Sequence, residues 1–158
     1  MARCRSTIGT ASYTSAQMAG PPRHLSSLMR SRRGVLGTVG PEGTPNVLPI
    51  CFTWAGDVLW TPIDGKPKST DNLQRLRDVK ANPQVTFMVD RWDEDWTRLA
   101  WLQAHGSASV LPEGPETEKA HAALRDKYPQ YDYIELEEGP VIRIDVDRWV
   151  GWAGDGGV

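Results

Sequence analysis

Cysteine is scarce in this chain: only Cys4 and Cys51 occur in 158 residues, far apart. That count excludes a disulfide framework and a cysteine-based zinc site, and it fits a reducing compartment. The three histidines, His24, His105 and His121, share no ligand spacing, so no metal site is expected. Excess positive charge is lacking as well. Lys and Arg total 18 against 20 Asp and Glu, a formal net charge of −2, which argues against nucleic acid as the main partner. No apolar run approaches membrane-spanning length, and the first thirty residues hold no apolar block of the signal-peptide kind. A soluble, cytoplasmic protein is expected, with no membrane partner and with local basic clusters that serve small anions.

What is present is enough for one core, since 39% of the residues are hydrophobic and the length suits a single domain. Residues 1–21 are rich in Ser, Thr, Gly and Ala without a sustained period and read as a flexible arm; 22–152 read as the domain, and 153–158 as a tail. The most organised stretch runs from Val58 to Lys80. Val58 to Ile63 is a β-branched and aromatic strand, Asp64-Gly65 a turn, and Leu73, Leu76 and Val79 recur at helical spacing. A helix is therefore expected from about Ser69, with Ser69 or Thr70 as its N-cap. Lys66 and Lys68 stand just before it. Helix N-termini carry unpaired N–H groups and partial positive charge, so two lysines and two hydroxyls there form a compact anion site. A solvated basic turn before an ordinary amphipathic helix is the alternative.

Elsewhere the pattern is mostly strands. Pro22 introduces a short helix with Leu25, Leu28 and Met29 on one face. Val35–Val39 and Asn46–Trp54 form a hairpin around Gly40 to Gly43, and with the strand from Val58 they make a meander of three. Pro49 removes a ladder donor and marks an edge, a bulge or a ligand's approach. Val85–Asp90 is a further strand. The acidic loop from Arg91 to Trp96 reads as a solvated tip, because consecutive carboxylates diverge. Arg98–Leu111 is apolar on both faces at Leu99 to Leu102, as for a strand covered by the core on one side and a second subunit on the other. Glu116–Tyr128 is a helix and Val141–Val146 the last strand. The fold class is mainly β (α+β): about six antiparallel strands in a barrel or sandwich with short flanking helices.

The run from Thr61 to Leu111, with its TPIDGKPKST and DEDWT segments, resembles the split β-barrel flavin and deazaflavin oxidoreductases of the pyridoxamine 5′-phosphate oxidase type. Within these it is most similar to the coenzyme F420-dependent FDOR-B subgroup. The hairpin from Gly37 to Trp54 and the closing Asp145 to Trp152 match the same pattern. The resemblance implies a split β-barrel and a homodimer with two cofactor sites at its interface. It implies that Lys66, Lys68, Ser69 and Thr70 face a cofactor phosphate, that Ile50 and Thr61 border the ring, and that Trp101 of the other subunit closes the pocket. Packing within a dimer core is the competing role for Trp101.

The activity so implied is hydride transfer between reduced coenzyme F420 and a small organic acceptor. No nucleophile triad or acid/base residue is identified, since a reduced deazaflavin is itself the hydride donor. An FMN-dependent oxidase and a non-catalytic binder of a cofactor or tetrapyrrole are the alternatives.

Overall fold

The computed structural model describes residues 20–63, 73–134, 136 and 140–154. Among these residues, seven antiparallel strands form one sheet in the order β2-β1-β5-β6-β7-β4-β3. They are β1 (Gly34–Val39), β2 (Pro45–Ile50), β3 (Thr53–Ala55), β4 (Val58–Pro62), β5 (Gln84–Arg91), β6 (Ala100–Leu111) and β7 (Val141–Ala153). Two α-helices, α1 (Gln74–Ala81) and α2 (Pro115–Lys127), accompany them, with short 3₁₀ turns at Arg23–Arg30, Trp96–Arg98 and Pro129–Asp132.

The expected meander of three is corrected here. Asn46 to Trp54 is two strands, and β2 and β3 lie at opposite edges of the sheet. Only Cys51 and Phe52 join them, so Ile50 and Thr53 can be no more than about 11 Å apart. The two edges must therefore meet at that corner, and the sheet curls into a barrel. Outside either ladder, the Phe52 backbone would be left unpaired. Tyr128 at the end of α2 supplies both partners: its hydroxyl accepts from Phe52 N–H and donates to Phe52 C=O, each at 3.0 Å. Burial pushes the Tyr128 phenol up to about 12, with the Phe52 backbone bond opposing that shift.

Alternation sets the core. Leu36, Phe87, Leu102, Ala104 and Ile144 point inward and are essentially buried. Phe52 and Phe87 meet edge to face at 4.6 Å. Leu25, Leu28 and Met29 close one end of the barrel, as their spacing predicts. Pro49 does lie on an edge strand, where a missing donor breaks no ladder bond. The barrel's longest pairing, β6 with β7, has a bulge between His105 and Gly106. A Cβ on Gly106 would stand 2.0 Å from Asp145 O, so only glycine permits the approach.

One further boundary and one strand face differ from the sequence reading. The last strand runs on through Trp149 and Trp152 to Ala153. The outer face of β6 is mixed, not apolar: Trp101, Gln103, His105 and Ser107 are half-buried there, opposite the buried Ala100, Leu102, Ala104 and Ala108. Among the described residues, no helix is long and apolar enough to cross a membrane.

Candidate functional site

A cavity of about 290 Å³ opens between the β1–β2 hairpin and the start of α1, lined by Thr38, Asn46, Val47, Leu48 and by Leu73, Gln74 and Arg75. Its strand wall follows from alternation: Asn46, Leu48 and Ile50 share the inner face of β2. Its helix wall follows from where α1 begins. The N-cap is Leu73 in extended backbone, without a side-chain cap, so the helix starts later than the neighbourhood of Ser69. Arg75 thereby falls in the first turn, and its guanidinium reaches toward Pro62 C=O at 3.5 Å. An arginine at that end suits an anion.

Behind the cavity lies Asp78, fully buried on the inner side of α1. It accepts from Thr38 Oγ1 at 2.7 Å, Asn46 Nδ2 at 2.9 Å and Gln74 Nε2 at 2.7 Å. Burial alone would raise its pKa. The three hydrogen bonds, with the Arg77 charge, outweigh burial and hold it below the usual carboxylate value. One acid therefore ties β1, β2 and α1 together beside the cavity.

The residues expected from sequence fall into three groups. Ile50 is 6% exposed and packs in the barrel core. Thr61 is 1% exposed and shares its strand face with Leu59 and Ile63, which belong to that same core. The Thr61 hydroxyl has no hydrogen-bond partner among the described residues, a costly condition for a buried polar group. Trp101 lies apart from both, on the outer face of β6, where it pairs with Asp90 and Trp152. Lys66, Lys68, Ser69 and Thr70 lie outside the described residues.

Sequence reasoning missed Asp78, Asn46, Thr38, Gln74 and Arg75. A signal existed for one pair, since Gln74 and Asp78 stand four apart on a helix and can bond. Nothing in the chain marks Thr38 and Asn46 as their partners, because those contacts span 40 and 32 residues. Among the described residues, no three His, Cys, Asp or Glu side chains gather in a way that could hold a metal.

A second cavity, about 270 Å³, lies behind the β2–β3 corner between Arg32, Cys51, Tyr128, Gln130, Tyr131 and Ile134. A third, about 400 Å³, runs over the outer face of β1 and β5 to His105. There His105 Nδ1 and Thr86 Oγ1 are 3.2 Å apart, and burial and then Arg148 hold the imidazole pKa below its usual value.

The described residues thus form a seven-stranded antiparallel barrel with a cavity between its edge hairpin and the helix that follows β4. The family model described as pyridoxamine 5′-phosphate oxidase matches residues 21–153, and the chain belongs to that family. Solved structures share the fold at low identity. A conserved hypothetical protein of Mycobacterium tuberculosis, Rv2991, superposes with a TM-score of 0.68 at 19% identity, covering 87% of this chain and 88% of that one. A heme binding protein from Mycobacterium smegmatis gives 0.67 at 21%, covering 85% of this chain and 56% of that one. A FAD-binding protein from Mesorhizobium loti gives 0.63 at 16%, covering 89% and 96%. No curated protein matches the chain.

Proposed function

We propose that this protein is a coenzyme F420-dependent oxidoreductase that moves a hydride between the reduced deazaflavin and a small organic acceptor. The observation that carries the reading is the Thr61 hydroxyl, buried in the barrel interior with no hydrogen-bond partner among the described residues. An orphaned buried hydroxyl costs about 1–3 kcal/mol, and a polar atom of a ring cofactor laid along the wall would offset that cost. When bound, a reduced deazaflavin supplies the hydride. The chain's own residues bind and orient. Ile50 and Leu48 give the ring an apolar wall and keep water out; Thr61 meets its polar edge; Arg75, Lys66 and Lys68, with Ser69 and Thr70, hold the phosphate. Apart from Arg75, the described lining is neutral, so it offers positioning and not general acid or base chemistry.

The sequence segments around Lys66 to Thr70 and Asp93 to Thr97 support F420 over FMN. The FMN-dependent oxidase is the second reading, favoured by the family match itself. A tetrapyrrole binder is the third, and no histidine lines the cavity beside α1. Fluorescence titration with F420 and FMN separates them: F420 should bind more tightly, and tight binding of FMN alone would reject the leading choice. Lys68→Ala should weaken F420 binding by about 1.5–3 kcal/mol, roughly ten- to a hundredfold. Lys80→Ala, at the exposed far end of α1, should leave affinity unchanged.

The site is further proposed to lie at a homodimer interface. Met88, Trp101, Val150 and Trp152 form a half-buried row across the outer face of β5, β6 and β7. Covering that row would bring Trp101 of one subunit to the pocket of the other. Light scattering at low micromolar concentration should report twice the chain mass, and a monomer that still binds cofactor would reject the shared site.

A further inference from the structure

Asp78 does more than fasten a hairpin to a helix. An ionised carboxylate can only accept hydrogen bonds, so every polar group facing it must turn a donor inward. Thr38 gives it its one hydroxyl proton, and Asn46 and Gln74 each give it an amide nitrogen. The orientation of each amide is therefore fixed by chemistry. Gln74 then spends its oxygen on the Arg77 guanidinium. Asn46 Nδ2 lies on the side of Asp78 and Gly40, which turns Asn46 Oδ1 away from the carboxylate, with no partner among the described residues. Thr38 Oγ1 likewise retains only lone pairs. Asp78 thus takes the Thr38 hydroxyl proton and one N–H of each amide, and it turns the Asn46 oxygen away from itself as an acceptor. Arg75 supplies the cavity's opposite polarity at the start of α1.

We propose that Asn46 Oδ1, oriented by Asp78, accepts a hydrogen bond from a ring N–H of the bound cofactor, so that the cavity selects an imide ligand over its N-alkylated form. This rests on the reading of the site as a flavin or deazaflavin pocket. Both ring systems carry an imide N–H between two carbonyls, and an iron-loaded tetrapyrrole macrocycle has no such donor. Asn46 is the specificity residue and Asp78 a positioning residue that acts through it. If Asp78 served only to join α1 to the hairpin, its replacement by Asn would leave the ratio of N–H to N-methyl binding unchanged.

The test compares F420 and FMN with their N3-methyl derivatives by fluorescence titration on the intact protein. Wild type should bind the methylated form at least tenfold more weakly than the parent. In Asn46→Leu the parent should weaken and the methyl penalty fall below threefold. Asp78→Asn should shrink the penalty too, since an amide at that position lets Asn46 turn over, while rescue of overall affinity is not expected. Equal binding of parent and methylated forms to wild type overturns the proposal and leaves the proposed function standing. A methyl penalty unchanged in Asn46→Leu marks steric exclusion and also overturns it. Failure of both parents to bind removes the function and the proposal together. The wild-type arm decides even where a variant does not fold.

Discussion

Carboxylates occupy two contrasting settings around this barrel. Asp78 is enclosed between β1, β2 and α1 and accepts from three neutral side chains. Glu116 and Asp145, between α2 and β7, share the Arg143 guanidinium at the surface, where their side chains keep 38% and 52% of their exposure. Hydrogen bonds from Arg143 hold the Asp145 pKa below its usual value, with burial opposing and the Arg143 charge assisting. Glu116 also accepts from Trp60 Nε1 at 3.1 Å, and Lys119 lies 5.9 Å from the centre of that ring. What separates the two settings is whether water can stand in for a lost partner. At the surface it can, so an exposed ion pair contributes little. In the interior three donors would lose their acceptor where solvent enters poorly, and the loss is large. The buried charge therefore dictates an arrangement, while the surface pair merely reinforces one.

The comparison is tested most severely at Asp78. Asp78→Ala should cost about 2–4 kcal/mol in urea unfolding; a loss below about 1 kcal/mol would show that water substitutes for the carboxylate after all. Its pH dependence follows by linkage. The folded pKa lies below the ordinary value of 3.8, so the stabilisation is fully present above that value and is lost as pH falls through the folded pKa. Wild type should lose stability below about pH 4 more steeply than Asp78→Asn, and parallel curves would contradict the network.

Lys127 gives an intermediate case. Its ammonium lies 3.5 Å from the centre of the Phe52 ring and donates to Met29 C=O at 3.2 Å. Burial nevertheless pulls its pKa from 10.5 down to about 8, with Cys51 opposing that shift and Arg32 assisting it. Between those two values the unfolded chain binds more protons than the folded one, so this group makes stability rise with pH across that window. Urea midpoints at pH 7.5 and 10 should therefore rise more for wild type than for Lys127→Met; an equal rise would place the ammonium in solvent.

The smallest effect belongs to the surface pair. Arg143→Met should change stability by less than about 1 kcal/mol and weaken further in importance as salt is added. A salt-insensitive loss as large as that of Asp78→Ala would erase the distinction between the two settings.

Much of the fold was legible before any coordinates, and particular residues show why. Leu25, Leu28 and Met29 at helical spacing, Val85, Phe87 and Val89 at strand spacing, and Ala120, Leu124 and Tyr128 on a helix all reach buried positions. Those periods are local consequences of 3.6 and 2 residues per repeat, so the chain states them directly. Ile50 and Thr61, which the resemblance sets beside a cofactor ring, both face the barrel interior, and their role there remains the proposal made above.

The barrel itself was expected, but the corner where it closes was not legible, because a strand that leaves one sheet edge and enters the other reads in sequence like one long strand. Only the pairing of β2 with β1 and of β3 with β4 reveals the break at Cys51 and Phe52. The start of α1 was read too early because Ser69 and Thr70 are better N-caps than Leu73 by intrinsic preference, whereas the N-cap is Leu73 in extended backbone. Asp78 reads in sequence as one more charge on a helix. Its burial is decided by Thr38 and Asn46, brought from distant strands. Local periodicity determined which residues form the core of this protein, whereas long-range strand pairing alone decided which polar groups would meet around its cavity.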